Sequence, residues 1–332
     1  MSMKTTNRRP DGMVAASTGG TQGLLGTEST VLVDRFSVRR EGDGRGSGRR
    51  QRLARSHKPK PIEPTRRDLE ELLPFIARIG CATPDALQDL AYGRWPSLVR
   101  DRLRRLYDNR FLNKLGGRAA SEPDIYFLSP SARRGWPVVE AHLVAAGQRP
   151  RSLPHTSKIA ETIMQARVIA RVLRAARDSG LSASNWRPEP ELRGLHCFSQ
   201  IIPDGYIRIA REPDADALGG SLLLEVEARA SAIRTWQARF SAYTDLYESG
   251  RYQETFKTDS LRVLVVLTGS AGRAARLRTL SDAALIQEAT MVRLAHWEIL
   301  RAVPAKDVLL SPLWTKPGVQ EPLSLFGKDL SR

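Results

Sequence analysis

Apolar residues Leu69, Leu72, Leu73, Ile76 and Ile79 recur at the spacings that build one face of a helix. Gly80 is placed to end that helix. Thr83-Pro84 reads as an N-cap followed by proline at the first helical position, opening a short helix through Leu87, Leu90 and Ala91 that Gly93 breaks. Ser97 is the expected cap of a third helix, in which Leu98, Leu103 and Leu106 alternate with Arg100, Arg102, Arg104 and Arg105, and Asn109 marks its end. Phe111–Leu115 and Asp124–Ser129 read as two strands joined by the turn Gly116-Gly117-Arg118. Three helices, the third basic, followed by a hairpin predict a winged helix-turn-helix over residues 63–148.

Beyond the Pro150–Pro154 junction, a long helix is expected from Thr156 to Asp178, with Ile159, Ile163, Ala166, Ala170 and Leu173 on one stripe and Gly180 after its end. Strand-like runs follow at Cys197–Ile202, Tyr206–Ile209, Leu222–Val226 and Arg262–Thr268. A helix carrying Ile233, Trp236, Phe240, Tyr243 and Tyr247 falls between the last two. A further helix over Arg273–Glu288 precedes a strand at Met291–Ala295. That order predicts a mixed-sheet α/β (α+β) domain over residues 152–332.

Composition narrows the partners. The chain has 332 residues, 41% of them hydrophobic and 27% charged, enough to bury a core. Its 52 Lys and Arg outnumber 36 Asp and Glu, a net charge of +16 that favours nucleic acid or another acidic surface. Half of that excess lies in the first sixty residues, a Gly-, Ser- and Arg-rich stretch with little to bury. Residues 1–62 are therefore expected to be a disordered basic arm and linker. No apolar run is long enough for a membrane span, and the N-terminal stretch lacks the apolar centre of a secretory signal, so a cytoplasmic protein is expected. Cys81 and Cys197 alone offer neither a disulfide framework nor a thiolate zinc site.

Between Ser97 and Arg118 basic residues greatly outnumber Asp101 and Asp108. Arginines on a helix suited to the major groove can reach base edges or phosphates. Arg100, Arg102, Arg104, Arg105, Lys114 and Arg118 are the candidate contacts to double-stranded DNA. A solvated face on a docking module is the plainer reading of the same residues.

Two acidic positions stand out in the second half. Pro203-Asp204-Gly205 falls where one strand meets the next, and Glu225-Val226-Glu227 ends the run Leu222-Leu223-Leu224. Carboxylates at the ends of neighbouring strands repel unless a hard cation such as Mg2+ neutralises them. Asp204 and Glu225 are the candidate metal ligands, although Pro-Asp-Gly is also an ordinary turn. Glu189 and Glu191 could join them, but the prolines beside each favour a loop. His155 could serve function or simply cap its helix. Trp236, Phe240 and Tyr243 read as core.

Asp204, Glu225 and Glu227, set in helix–strands–helix–strand order, resemble the PD-(D/E)xK nuclease core. Residues 68–314 are similar to the replication-relaxation family of plasmid and mobile-element proteins. The features that carry the similarity are Tyr126-Phe127-Leu128-Ser129, His155, Pro203-Asp204-Gly205, Leu224-Glu225-Val226-Glu227 and the helix that carries Tyr243. The resemblance implies a DNA-associated protein acting in replication, relaxation or mobilisation, with replication or mobilisation proteins as further partners. It also implies catalytic roles for Asp204, Glu225, Glu227 and Arg239. Where the nuclease pattern has lysine this chain has Glu227, and where related sequences supply lysine from the next helix it has Arg239. Arginine is a poor substitute near a nucleophilic water, so the domain is expected to be either an active or a degenerate Mg2+-dependent nuclease. The alternative is a non-enzymatic regulator whose second domain serves homodimerisation or protein docking.

Overall fold

The computed structural model describes residues 61–93, 96–115, 122–183, 185–210, 220–269 and 272–326. They belong to one compact unit, Val38–Arg332. The basic arm, Arg118 and the turn at Gly116-Gly117 lie outside the described residues.

The chain enters through a wide helical turn, Asp68–Leu72, that runs into helix α1 (Leu73–Ile79). Thr65 and Asp68 form a reciprocal cap: the Thr65 amide donates to Asp68 Oδ2 at 2.7 Å, and the Asp68 amide donates to Thr65 Oγ1 at 3.2 Å. Gly80 ends α1 at φ 105°, a conformation that a side chain would strain. Helix α2 (Pro84–Leu87) starts at the expected proline, yet the Thr83 side chain makes no capping bond. Helix α3 (Pro96–Asp108) contains Ser97 as its second residue.

Strands β1 (Asn113–Lys114) and β2 (Tyr126–Phe127) pair antiparallel, and Ala82 bridges to Tyr126. This ladder is shorter than the apolar runs because Arg110 takes a left-handed φ of 63° and Phe111 and Leu112 are buried in the core. Helix α4 (Gly135–Ala145), which the apolar pattern does not announce, packs against that turn. A Cβ on Gly135 would lie 2.0 Å from the Phe111 carbonyl oxygen, so only glycine fits there.

Helix α5 (Thr156–Asp178) has the bounds that its periodicity predicts. His155 is its N-cap, with Nδ1 accepting from the Ser157 amide at 3.4 Å. Strand β3 (Arg187–Pro188) and helix α6 (Glu189–Leu192) follow. The expected strand at Cys197–Ile202 is instead a tight helical turn, His196–Phe198, and unpaired chain. Its apolar residues bury as anchors of the core rather than as ladder members.

Strands β4 (Gly205–Ile209) and β5 (Gly220–Glu227) lead to helices α7 (Ile233–Glu248) and α8 (Arg251–Phe256). Strand β6 (Leu261–Leu267), helix α9 (Arg273–Ile286) and strand β7 (Val292–His296) complete the sheet, and α10 (Trp297–Ala302) and α11 (Asp307–Leu310) follow, after which Thr315 bridges back to Leu294 of β7. The sheet order is β3-β4-β5-β6-β7. β3–β4 and β4–β5 are antiparallel, whereas β5–β6 and β6–β7 are parallel. This is the mixed α/β architecture that the sequence predicts.

Strand alternation sorts the side chains between two apolar clusters. Leu222, Leu224 and Val226 face α5, and Leu223 faces Trp236, Phe240 and Tyr243 of α7. Glu225 and Glu227 share the parity of Leu223, which turns both carboxylates towards α7 and α9. The α5 side of the core is continuous with Leu72, Leu87, Leu103 and Leu143, so residues 63–148 and 152–332 are packed through one apolar cluster. Arg171 of α5 clamps that junction, donating to Leu300 O at 3.1 Å and pairing with Asp89 at 3.2 Å.

Candidate active site and nucleic-acid interface

Asp204 sits one residue before β4, beside the central strand. Its amide donates to Leu224 O at 2.8 Å, and its Oδ2 accepts from the Val226 amide at 2.6 Å. The carboxylate therefore continues the ladder that Gly205 and Leu224 begin. Oδ1 accepts from Nε2 of Gln165, a buried residue of α5, at 2.8 Å. Burial pushes the Asp204 carboxyl well above the ordinary aspartate range, and the nearby Glu225 charge pushes it further.

Glu225 is buried to 2% exposure. Both of its oxygens accept from Arg239 Nη2, and Oε1 also accepts from the Tyr243 hydroxyl. Arg239 and Tyr243 lie one turn apart on α7 and so reach the same group. Burial pushes Glu225 up, while the Arg239 guanidinium and the Tyr243 hydroxyl pull against that rise. Burial acts to lower Arg239, and the Glu225 carboxylate more than reverses it. Tyr243 is driven far up by burial and by Glu225, so it stays a donor.

Glu227 is set to a different task. Its Oε1 accepts from the Trp236 indole at 2.8 Å and the Ser231 amide at 3.1 Å, and both its oxygens engage Arg276 of α9. It ties the end of β5 to the start of α7 and to α9. Glu191 pairs with Arg78, and Glu189 pairs with Arg193 while its charge also reaches Asp204 and Glu225 and adds to the rise of both. They stand on a short helix where prolines suggested a loop.

Of Asp204, Glu225, Glu227 and Arg239, which the resemblance grouped, Asp204, Glu225 and Arg239 come together, with Gln165 and Tyr243 completing the cluster. Gln165 left only a faint signal, an amide on an apolar helix stripe, and Arg276 left none. A divalent cation such as Mg2+ takes about six oxygen ligands. Here the two carboxylates already have both oxygens engaged, and among the described residues no group of three His, Cys, Asp or Glu side chains is placed to hold a metal. The arrangement does not fit Mg2+: the Arg239 guanidinium lies where the charge of a cation would be needed.

On α3, Arg100, Arg104 and Arg105 are exposed. Arg104 pairs with Asp108 at 3.7 Å and Arg105 with Asp101 at 2.9 Å, surface contacts that a phosphate can replace at little cost. Arg102 turns inward instead. It pairs with the fully buried Asp68 and donates to Glu63 O at 3.1 Å. Lys114 Nζ lies 3.5 Å from Asp124 and over the Tyr107 ring.

A family model described as replication-relaxation matches residues 73–259. The chain belongs to the replication-relaxation family. No curated protein matches this replication-relaxation chain. A solved structure titled restriction endonuclease FokI bound to DNA is similar over 71% of this chain and 43% of that one, at 10% identity and a TM-score of 0.27. Among the described residues of this replication-relaxation protein, no helix is long and apolar enough to cross a membrane.

Proposed function

We propose that this replication-relaxation protein binds double-stranded DNA of a plasmid or mobile element and does not itself cut it. The observation that carries the second half of this reading is the Arg239 guanidinium seated on both oxygens of Glu225. Neutralisation of converging carboxylates is the work a divalent cation would do in a nuclease. Here the Arg239 charge on Glu225, with the Gln165 amide and the Val226 N–H on Asp204, does it instead.

DNA binding is supported by the exposed Arg100, Arg104 and Arg105 on α3, followed by the β1–β2 ladder, which together present a basic helix and a hairpin as a winged helix-turn-helix does. Arg102 belongs to the support of that helix rather than to its contact face, because it neutralises buried Asp68. Replication or mobilisation proteins would then act on DNA that this chain holds.

Duplex binding followed across a salt series, in magnesium and in chelator, tests the reading. The expected outcome is binding in both, weakening steeply with salt as phosphate contacts release counterions. A flat, weak response, or binding that requires the metal, would overturn it.

A further inference from the structure

A cleft of about 540 Å³ opens between the α4–α5 connection and strand β3. Arg78, Arg149, Arg151 and Arg187 line it, and Glu191 is the acidic side chain on its wall. Glu191 is already spent: it accepts from Arg78 Nε at 2.7 Å and Nη2 at 2.8 Å. The other three guanidiniums form no ion pair among the described residues, although the Glu189 and Glu191 charges reach Arg151. Arg151 Nη1 donates to the Ile79 carbonyl at 3.1 Å, Arg187 Nε donates to Asn185 Oδ1 at 3.0 Å, and exposed Arg149 has no ion pair among the described residues.

Cations that outnumber their counter-charges in a concave, partly dry wall are costly unless an anion joins them. Burial pushes Arg151 below its ordinary value, which is the sign of that cost. Planar guanidiniums match the paired oxygens of a phosphate. The cleft also neighbours the candidate site: Pro188 pairs with Gly205, and the Glu189 amide donates to Asp204 O at 3.1 Å.

We propose that this cleft is a second phosphate-binding site, in which Arg149, Arg151 and Arg187 seat the backbone of a polynucleotide. The assignment rests on the DNA-binding reading above and adds a contact surface remote in sequence from α3.

The test is fluorescence anisotropy with a labelled duplex over roughly 50 to 200 mM salt, a range in which phosphate contacts dominate the affinity. It compares wild type, Arg149→Gln/Arg187→Gln, and Arg100→Gln/Arg104→Gln. The cleft variant should lower the log–log salt slope by roughly two, about 0.9 for each lost contact, and Arg149→Lys/Arg187→Lys should restore it. Wild type that binds, with a slope lowered by the α3 variant and unchanged in the cleft variant, overturns the cleft alone. Wild type that does not bind sinks the DNA reading and the cleft's ligand together. A mononucleotide that raises the Tm of wild type but not of the cleft variant, with duplex slopes equal, would assign the site to free nucleotide and overturn the polynucleotide. Displacement by polyglutamate as readily as by unlabelled duplex would mark an acidic protein partner and overturn it as well.

Discussion

Arg239 Nη2 donates to both carboxylate oxygens of Glu225, so one guanidinium nitrogen answers a buried carboxylate. Arg239→Leu leaves that charge unpaired and should cost about 3–5 kcal/mol in urea unfolding. Arg239→Lys keeps the charge and should cost less. The double variant Arg239→Leu/Glu225→Leu should recover most of the loss, because no buried charge is then orphaned. A double variant as unstable as Arg239→Leu alone would show that packing, not charge, sets the effect.

Asp204 adds a pH signature. Its folded carboxyl titrates well above the ordinary aspartate value of 3.8, chiefly through burial. The folded state therefore holds a proton that the unfolded state has released, and stability falls as pH rises from about 3.8 through the folded value. Asp204→Asn removes this titration and should flatten that part of the curve. Gln165 can turn its amide to present oxygen to the new NH2 group, so the exchange is expected to keep the local fold. Thermal unfolding of both proteins from pH 4 to 9 checks it, and parallel curves would refute the assignment.

Helical bounds were legible where apolar spacing and glycine agree, as at Thr156–Asp178 and at Gly80. Asp204 and Glu225 could be grouped because strand ends are fixed by local pattern, whereas Arg239 joined them only through the resemblance to the replication-relaxation family. The run at Cys197–Ile202 misled because Cys197, Phe198 and Ile201 bury as core anchors, which a strand pattern imitates. Arg102 could not be told from its neighbours, since its partner Asp68 lies 34 residues earlier and only tertiary packing brings them together. The same holds for Glu227 and Arg276, 49 residues apart.

That second pair gives a prediction of its own. Glu227→Ala removes the acceptor for Arg276, the Trp236 indole and the Ser231 amide. The expected loss is about 3–5 kcal/mol in chemical denaturation, with duplex affinity of the remaining folded protein unchanged. A stable variant that loses DNA binding would instead place Glu227 in the functional site.

The α3 arginines should divide into two kinds. Arg102→Ala strands the fully buried Asp68 and should destabilise by about 3–5 kcal/mol. Arg100→Ala and Arg104→Ala should change stability by no more than about 0.5 kcal/mol. Each should also lower the salt slope of duplex binding by about one. Equal behaviour of all three in both measurements would contradict the division between a support residue and contact residues.

Incubation of supercoiled plasmid with the full chain in magnesium or manganese decides whether the protein binds DNA without cutting it. The plasmid is expected to be bound and to stay supercoiled at every metal concentration. Metal-dependent nicking by the wild type that disappears in Asp204→Ala would contradict it.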